Sequence, residues 1–156
     1  MKKLLLLLFA PLLILSACSK KETFDPVKQA ADDDVAIQAY IKANNITATK
    51  DSASGLYYQI ITQGTGANAN SKSTVTVNYT GKLLNGSTFD TTTGRGSFTS
   101  SLQNVIAGWT IGVPFVKVGG RILLLIPSGL GYGNNAAGVI PANSVLVFTI
   151  DLLGVQ

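Results

Sequence analysis

Apolar and polar residues alternate in several stretches of the chain, which is typical of β-strands that have one covered face. In residues 74–80, Val75, Val77 and Tyr79 share one face, and threonine and asparagine side chains share the other. Residues 121–126 are almost wholly apolar, which favours a central strand. β-branched and aromatic residues predict further strands at 56–61, 87–90, 97–99 and 144–153.

A short amphipathic helix is predicted over 32–44, ahead of these strands. Ile37, Tyr40 and Ile41 have helical spacing, and an acidic run at the start suits the positive end of a helix dipole. The apolar face of this helix needs cover, either from the same domain or from a second copy of the chain in a homodimer. The residues that follow lack periodicity and are predicted to be a linker, which completes a segment over 32–54.

A second short helix is predicted around Trp109, the one tryptophan of the chain. Val105, Ile106 and Trp109 fall at i, i+1 and i+4, as on one face of a helical turn. Strand-like sequence lies on both sides, so the indole would be buried between a helix and a sheet. A plain core tryptophan is the simpler interpretation of this stretch alone. The pattern as a whole predicts an α+β fold, in which an antiparallel sheet wraps around one short helix.

The first 18 residues have the pattern of a bacterial export signal. Two lysines precede an apolar run over 4–15, which is shorter than the roughly 20 residues of a membrane span. Residues 15–18 (LSAC) resemble a lipobox, in which the signal is cut before the cysteine and its thiol is acylated. We therefore expect a signal peptide over 1–17, and lipidated Cys18 followed by a polar tether as far as residue 31. The alternative is an ordinary signal peptide with a chance cysteine.

A lipid on Cys18 would anchor the protein to a membrane of the bacterial cell envelope. Ser19 after the cysteine favours the outer membrane over the inner one, by analogy with lipoprotein sorting.

The composition excludes several kinds of chemistry. The chain has no histidine, so a mechanism with an imidazole base is ruled out and a zinc site is disfavoured. A single cysteine rules out an intramolecular disulfide. Removing the two lysines of the signal lowers the net charge from +4 to +2, and no long basic run is present, so nucleic-acid binding has little support.

Carboxylates are scarce between Gly55 and the end of the chain, where Asp90 and Asp151 are the only ones. Asp151 closes the last predicted strand and is expected to lie in solvent. Asp90 follows Phe89 directly, and an acid among aromatic residues is either paired or functional. Aromatic residues recur where the predicted strands meet loops, at Tyr79, Phe89, Phe98, Trp109, Tyr132 and Phe148.

Five short blocks follow one another in the second part of the chain. They are 77–81 (VNYTG), 88–90 (TFD), 105–109 (VIAGW), 131–133 (GYG) and 139–143 (VIPAN). In this order and at this spacing they resemble the signature blocks of FKBP-type peptidyl-prolyl cis–trans isomerases. The resemblance implies an isomerase domain over 55–156, built as a five- or six-stranded antiparallel half-barrel around one helix with a pocket between them.

The resemblance also implies roles for individual residues. The catalytic set would be Asp90, a pocket carboxylate, with the Tyr132 hydroxyl and the Ile140 backbone N–H, which bond ligand carbonyls. Tyr79 and Arg95 would be the partners of Asp90. Substrate-binding roles would fall on Tyr79, Phe89, Phe98, Val105, Ile106, Trp109 and Phe148, with Trp109 as the floor.

Two loops depart from the family pattern. The loop over 89–98 is about one residue short, and Asn135 or Ala136 stands where many members have a histidine. We therefore expect altered ligand affinity rather than lost activity.

The expected activity is isomerisation of X–Pro bonds in exported polypeptides, with macrolides as possible inhibitors. Such chemistry needs no nucleophile, metal or cofactor, so no cofactor is expected. The alternative is a non-catalytic peptide-binding or chaperone lipoprotein that uses the same groove. Such modules often carry an inserted flap domain, and the loop after Pro127 is only about 16 residues long. A purely structural lipoprotein is not favoured by a chain that keeps all five blocks.

Overall fold

A computed structural model describes residues 23–156, so the predicted signal peptide and Cys18 lie outside the described residues. The described part of the chain contains one seven-stranded antiparallel sheet, with strand order β1-β2-β6-β7-β3-β4 and with β5 beside β3. The strands are β1 (Thr49–Lys50), β2 (Tyr57–Thr62), β3 (Thr74–Leu83), β4 (Thr88–Thr91), β5 (Phe98–Ser101), β6 (Arg121–Ile126) and β7 (Leu146–Val155). Helix α1 spans Pro26–Ala43 and helix α2 spans Ala107–Gly112.

The two faces of the sheet are covered by different helices. On the central strands β6 and β7, Leu124 and Phe148 belong to the larger apolar cluster, which includes Trp109 of α2. Their neighbours Leu125 and Val147 belong to a second cluster with Ile37 of α1. We call the face toward α2 the inner face and the face toward α1 the outer face. Both sides of these strands are therefore apolar, which explains the unbroken apolar run in β6.

The predicted α+β architecture is confirmed, with one strand more than the five or six expected. The additional strand is β1, which pairs with β2 through Thr49 and Lys50 inside the predicted linker. Two residues are too few to produce an alternating pattern, so this strand has no signal in the sequence. The last strand begins at Leu146 and continues to Val155, beyond its predicted end.

Helix α1 begins at Pro26, six residues before the predicted start, inside the segment predicted to be a tether. The Asp25 side chain accepts hydrogen bonds from the N–H groups of Val27 (2.9 Å) and Lys28 (3.1 Å). A capping aspartate followed by proline is a strong start signal, because proline suits the first helical turn. The acidic run instead lies in the middle of the helix.

The apolar face of α1 packs against its own domain. Ile37 is fully buried among Tyr57, Leu125 and Val147 of the sheet, and Tyr40 and Ile41 pack at the edge of this cluster. The sequence left open whether the same domain or a second copy of the chain covers this face. In the structure the same domain covers it. No helix in the described residues has both the length and the apolar character needed to span a membrane.

Candidate active site

One cavity of about 640 Å³ lies between the inner face of the sheet, the start of α2 and the loop between β6 and β7. All ten residues that the resemblance assigned to the site line this cavity. They are Tyr79, Phe89, Asp90, Phe98, Val105, Ile106, Trp109, Tyr132, Ile140 and Phe148. Four further residues, to which the resemblance assigned no role, also line it: Asn104, Ala137, Gly138 and Val139.

A larger hollow of about 880 Å³ lies on the outer face, beside α1. Threonine, glycine and charged residues line most of it, including Lys82, Arg121 and Asp151. Its described lining includes only two aromatic residues, Tyr40 and Tyr79, so the smaller inner cavity is the better candidate for binding an apolar ring.

Trp109 forms the floor of the inner cavity and is only 4% exposed. Its ring stands edge-on to Tyr79 (5.0 Å between centroids), Phe148 (5.2 Å) and Phe98 (6.3 Å). Edge-to-face contacts of this kind fix ring orientations as well as bury apolar area. The walls and floor therefore form one packed aromatic cup.

Glycines in α2 allow the helix to approach the sheet closely enough to bury Trp109. A Cβ atom on Gly108 would lie 2.5 Å from Cγ2 of Ile126, and one on Gly112 would lie 2.6 Å from Cδ2 of Leu124. Val105 and Ile106 precede the helix rather than sharing its face as predicted, because Ile106 has extended dihedral angles at the N-cap. Both residues still line the cavity.

Asp90 lies at the rim with the two partners that the resemblance implied. Its carboxylate accepts hydrogen bonds from the Tyr79 hydroxyl, from the Arg95 guanidinium and from the N–H of Thr91 (2.9 Å). The Tyr79 hydroxyl, followed by Arg95, holds the pKa of Asp90 below its ordinary value. The carboxylate is therefore ionised at neutral pH.

The pKa of Tyr79 is shifted in the opposite direction, upward. Burial, together with the neighbouring Asp90 carboxylate, raises the pKa of Tyr79 to about 12. Its hydroxyl is therefore protonated at neutral pH and acts as a donor to Asp90. The pair forms a fixed polar edge to an otherwise apolar cavity.

Asp151, which we expected in solvent, is partly exposed and also forms an ion pair. Its two carboxylate oxygens accept hydrogen bonds from Nε (2.6 Å) and Nη2 (2.8 Å) of Arg121, which lies directly opposite on β6. The pair faces the outer hollow and is separate from the cavity lining.

The loop between β6 and β7 brings Tyr132 and Ile140 to the cavity. Tyr132 lies at the rim and is 42% exposed. The Ile140 N–H already donates to the Ala137 carbonyl (3.0 Å), so a ligand carbonyl would compete with a bond inside the loop.

Ile106 offers a different backbone donor. Its carbonyl accepts from Trp109 and Thr110 of α2, whereas its N–H has no hydrogen-bond acceptor among residues 23–156. The resemblance implied only a wall role for Ile106. A helix start placed at Ala107 would have identified its N–H as lying outside the helical hydrogen-bond pattern.

Comparison with known proteins agrees with this geometry. The family model of FKBP-type peptidyl-prolyl cis-trans isomerases matches residues 66–153, which is more than half of the chain. The chain belongs to this FKBP family. Helix α1 and strands β1 and β2 precede the matched residues, although β2 pairs with β6 of the FKBP core.

FkpA of Aeromonas hydrophila is 41% identical over 131 residues, which are 83% of this chain and 49% of that relative. A probable FKBP-type isomerase of Haemophilus influenzae is 41% identical over 145 residues, or 91% of this chain and 59% of that relative. The chain thus spans about half the length of the FkpA relatives it matches.

The solved structures that resemble this FKBP include FkpA of Escherichia coli, with a TM-score of 0.73 and 38% identity over 83% of this chain and 62% of that one. A peptidyl-prolyl cis-trans isomerase of Pseudomonas syringae has a TM-score of 0.69 and 28% identity over 86% of this chain and 98% of that one.

Proposed function

We propose that this FKBP is a peptidyl-prolyl cis–trans isomerase that acts on proline-containing polypeptides. The observation that carries the proposal is the single aromatic cup of about 640 Å³, with Trp109 as its floor and the Tyr79–Asp90 pair at its rim. The FkpA relatives are named as isomerases, which supports the same activity for this shorter chain.

The cup suits the transition state of prolyl rotation. Resonance in the planar amide produces a barrier of about 18–20 kcal/mol, and this resonance is lost when the bond twists. The twisted amide has a less charged carbonyl oxygen and a more pyramidal nitrogen, so water stabilises it less than the planar form. An apolar cavity that excludes water should therefore favour the twisted form, and lowering the barrier by about 6 kcal/mol would accelerate rotation about 10⁴-fold.

We assign the prolyl ring to the space above Trp109, between the rings of Phe89, Phe98 and Phe148. The ring would replace water against apolar side chains, since these lining groups have no polar atoms of their own apart from the indole N–H. The indole Nε1 is buried without a hydrogen-bond partner in residues 23–156. Binding of the prolyl ring at the floor would therefore depend mainly on shape complementarity and desolvation.

The rim would hold the polypeptide backbone on either side of the proline. The Tyr132 hydroxyl is exposed enough to donate to a substrate carbonyl. The Ile106 N–H is a second donor, and we prefer it to the Ile140 N–H because only the latter is already used inside its own loop. Asp90 would fix Tyr79 and supply a negative potential, without transferring a proton.

We further propose that the protein is a lipoprotein of the bacterial cell envelope, with exported polypeptides as substrates and with macrolides as competitors for the cup. The export-signal pattern over 1–17 and the position of Cys18 support the lipid anchor. Metabolic labelling with an alkyne fatty acid should modify the wild-type protein and leave Cys18→Ser unlabelled. Labelling of neither protein would rule out the anchor.

Turnover of a proline tetrapeptide tests the isomerase proposal directly. Full-length protein in detergent should increase the cis-to-trans rate in proportion to its concentration. A truncation of two cup rings, Phe89→Ala with Phe148→Ala, should abolish the increase. A wild-type protein that binds the peptide without changing the rate would favour the non-catalytic binding module instead.

A further inference from the structure

Asp33 connects helix α1 to the loop that forms one side of the cavity. Its carboxylate is 3% exposed and Ser128, at the start of the loop, is 2% exposed. One oxygen, Oδ2, accepts from both the N–H (2.7 Å) and the hydroxyl (2.6 Å) of Ser128. The two residues are 95 positions apart, so this contact depends on the docked helix.

The carboxylate is held by neutral donors. Its other oxygen, Oδ1, accepts from the side-chain amide of Gln29 (2.8 Å), and no lysine or arginine pairs with Asp33 within residues 23–156. A buried carboxylate is costly unless its hydrogen bonds are satisfied, and breaking one of them leaves an unpaired group. Such a network strongly favours one position of Ser128 relative to α1.

Ser128 is hydrogen-bonded to the backbone at the cavity rim. Its carbonyl accepts from the N–H groups of Gly131 (2.9 Å) and Gly133 (2.8 Å), which flank Tyr132. The Gly133 carbonyl in turn accepts from the N–H of Asn143 (2.8 Å) at the far end of the loop. The backbone on both sides of Tyr132 is therefore tied to the residue that Asp33 holds.

We propose that Asp33 is a positioning residue of the isomerase site, which fixes Tyr132 at the cavity rim through Ser128. This inference rests on the proposed function, because it assigns Tyr132 a role in holding the substrate. It also gives helix α1, which lies outside the residues matched by the family model, a part in the function of the FKBP domain.

A purely structural role for Asp33 would be limited to docking α1. Ile37 provides the matched control, because it is fully buried in the same helix and packs on the sheet with a hydrocarbon side chain that forms no hydrogen bonds. The variant Ile37→Val should weaken the docking of α1 while leaving the Asp33–Ser128 bonds in place. The variant Asp33→Asn keeps the side-chain shape but replaces the charged acceptor by a neutral amide, which weakens the hydrogen bonds from Ser128.

Amide hydrogen exchange of the full-length protein tests, without any substrate, whether Asp33 holds the loop around Tyr132 through Ser128. In Asp33→Asn, the protection of the Gly131, Gly133 and Asn143 amides should fall about tenfold relative to the amides of β6 and β7. Ser128→Ala, which removes only the hydroxyl bond, should produce a smaller fall in the same amides. Unchanged protection in Asp33→Asn, or an equal fall in Ile37→Val, would overturn the proposal.

Isomerisation kinetics with a proline tetrapeptide then test whether Asp33 affects the site through Tyr132. Asp33→Asn should lower kcat/KM about fivefold, mainly through KM, in the protein that retains Tyr132. In a Tyr132→Ala background the same substitution should change kcat/KM less than about twofold. An equal fall in both backgrounds would overturn the role assigned to Asp33. Absence of turnover in the wild type would instead refute the proposed function, while hydrogen exchange would still decide whether Asp33 holds the loop.

Discussion

The Tyr79 hydroxyl donates a hydrogen bond to the Asp90 carboxylate, and this bond joins strands β3 and β4 at the rim of the cavity. Tyr79 also stands edge-on to Trp109, with 5.0 Å between the ring centroids. The carboxylate at the rim therefore helps to fix a ring that contacts the floor. This relationship gives Asp90 a part in shaping the cup, in addition to its charge.

Loss of Asp90 should reduce isomerisation more than loss of Asp151, the other carboxylate between Gly55 and Gln156. We expect Asp90→Ala to lower kcat/KM about tenfold, because Tyr79 and Arg95 lose their common acceptor. Asp151→Ala removes an exposed ion pair on the outer face and should leave kcat/KM unchanged. Both are measured with a proline tetrapeptide. Full activity in Asp90→Ala would remove the carboxylate from the mechanism.

The stability of the protein should depend on Tyr79 at alkaline pH. The pKa of Tyr79 is about 12 in the folded protein and about 10 when unfolded, so its stabilising effect is complete below pH 10 and is lost as the pH rises through 12. We expect the wild type to lose about 1 kcal/mol relative to Tyr79→Phe between pH 9 and pH 11. Urea unfolding at each pH measures this difference, and a constant difference would contradict the shifted pKa.

A methyl group at Gly81 should disturb the wall of the cup. A Cβ atom there would lie 2.7 Å from ring atoms of both Phe89 and Phe148, so the rings would have to move. We expect Gly81→Ala to lower kcat/KM several-fold and to cost about 1–3 kcal/mol of unfolding free energy. Gly154→Ala is the control, since its Cβ would meet Thr76 at an ordinary 3.7 Å. Equal effects of the two variants would show that Gly81 does not shape the cup.

Trp109 should report ligand binding by fluorescence, because it is the one tryptophan of the chain and forms the cavity floor. A prolyl ring placed on the indole should shift its emission, and the shift should saturate as the concentration of a proline tetrapeptide rises. The same peptide with alanine in place of proline is the control and should cause little change. A proline peptide that is turned over without changing the emission would exclude Trp109 as the floor of the occupied site.

The sequence was informative wherever a signal is local. Strict alternation in β3 predicts that Val75, Val77 and Tyr79 share one face, and these three side chains lie on the inner face of the sheet. The five family blocks brought together distant aromatic residues that no periodicity could have connected. The start of α1 is also encoded locally, in Asp25 and Pro26, whereas the acidic run, which predicts a start at residue 32, lies inside the helix.

Long-range polar contacts were beyond the reach of these patterns. Arg121 and Asp151 meet because β6 and β7 pair in one particular register, and that register is not visible in either strand alone. The contact between Asp33 and Ser128 likewise depends on how α1 docks across the sheet. The bond from the Ile140 N–H to Ala137 depends on the conformation of an irregular loop. Each of these pairings needs the assembled fold before it can be inferred.

Strand β7 contributes Phe148 to the cup, and its neighbour Val147 belongs to the apolar cluster against which α1 packs. Because successive side chains of a strand point to opposite faces, inserting or deleting one residue here would place valine in the cup and phenylalanine under the helix. Substitutions on either face can occur separately, whereas a change of length would damage both faces together. We therefore expect natural variation in β7 to change its amino acids and to preserve its residue count.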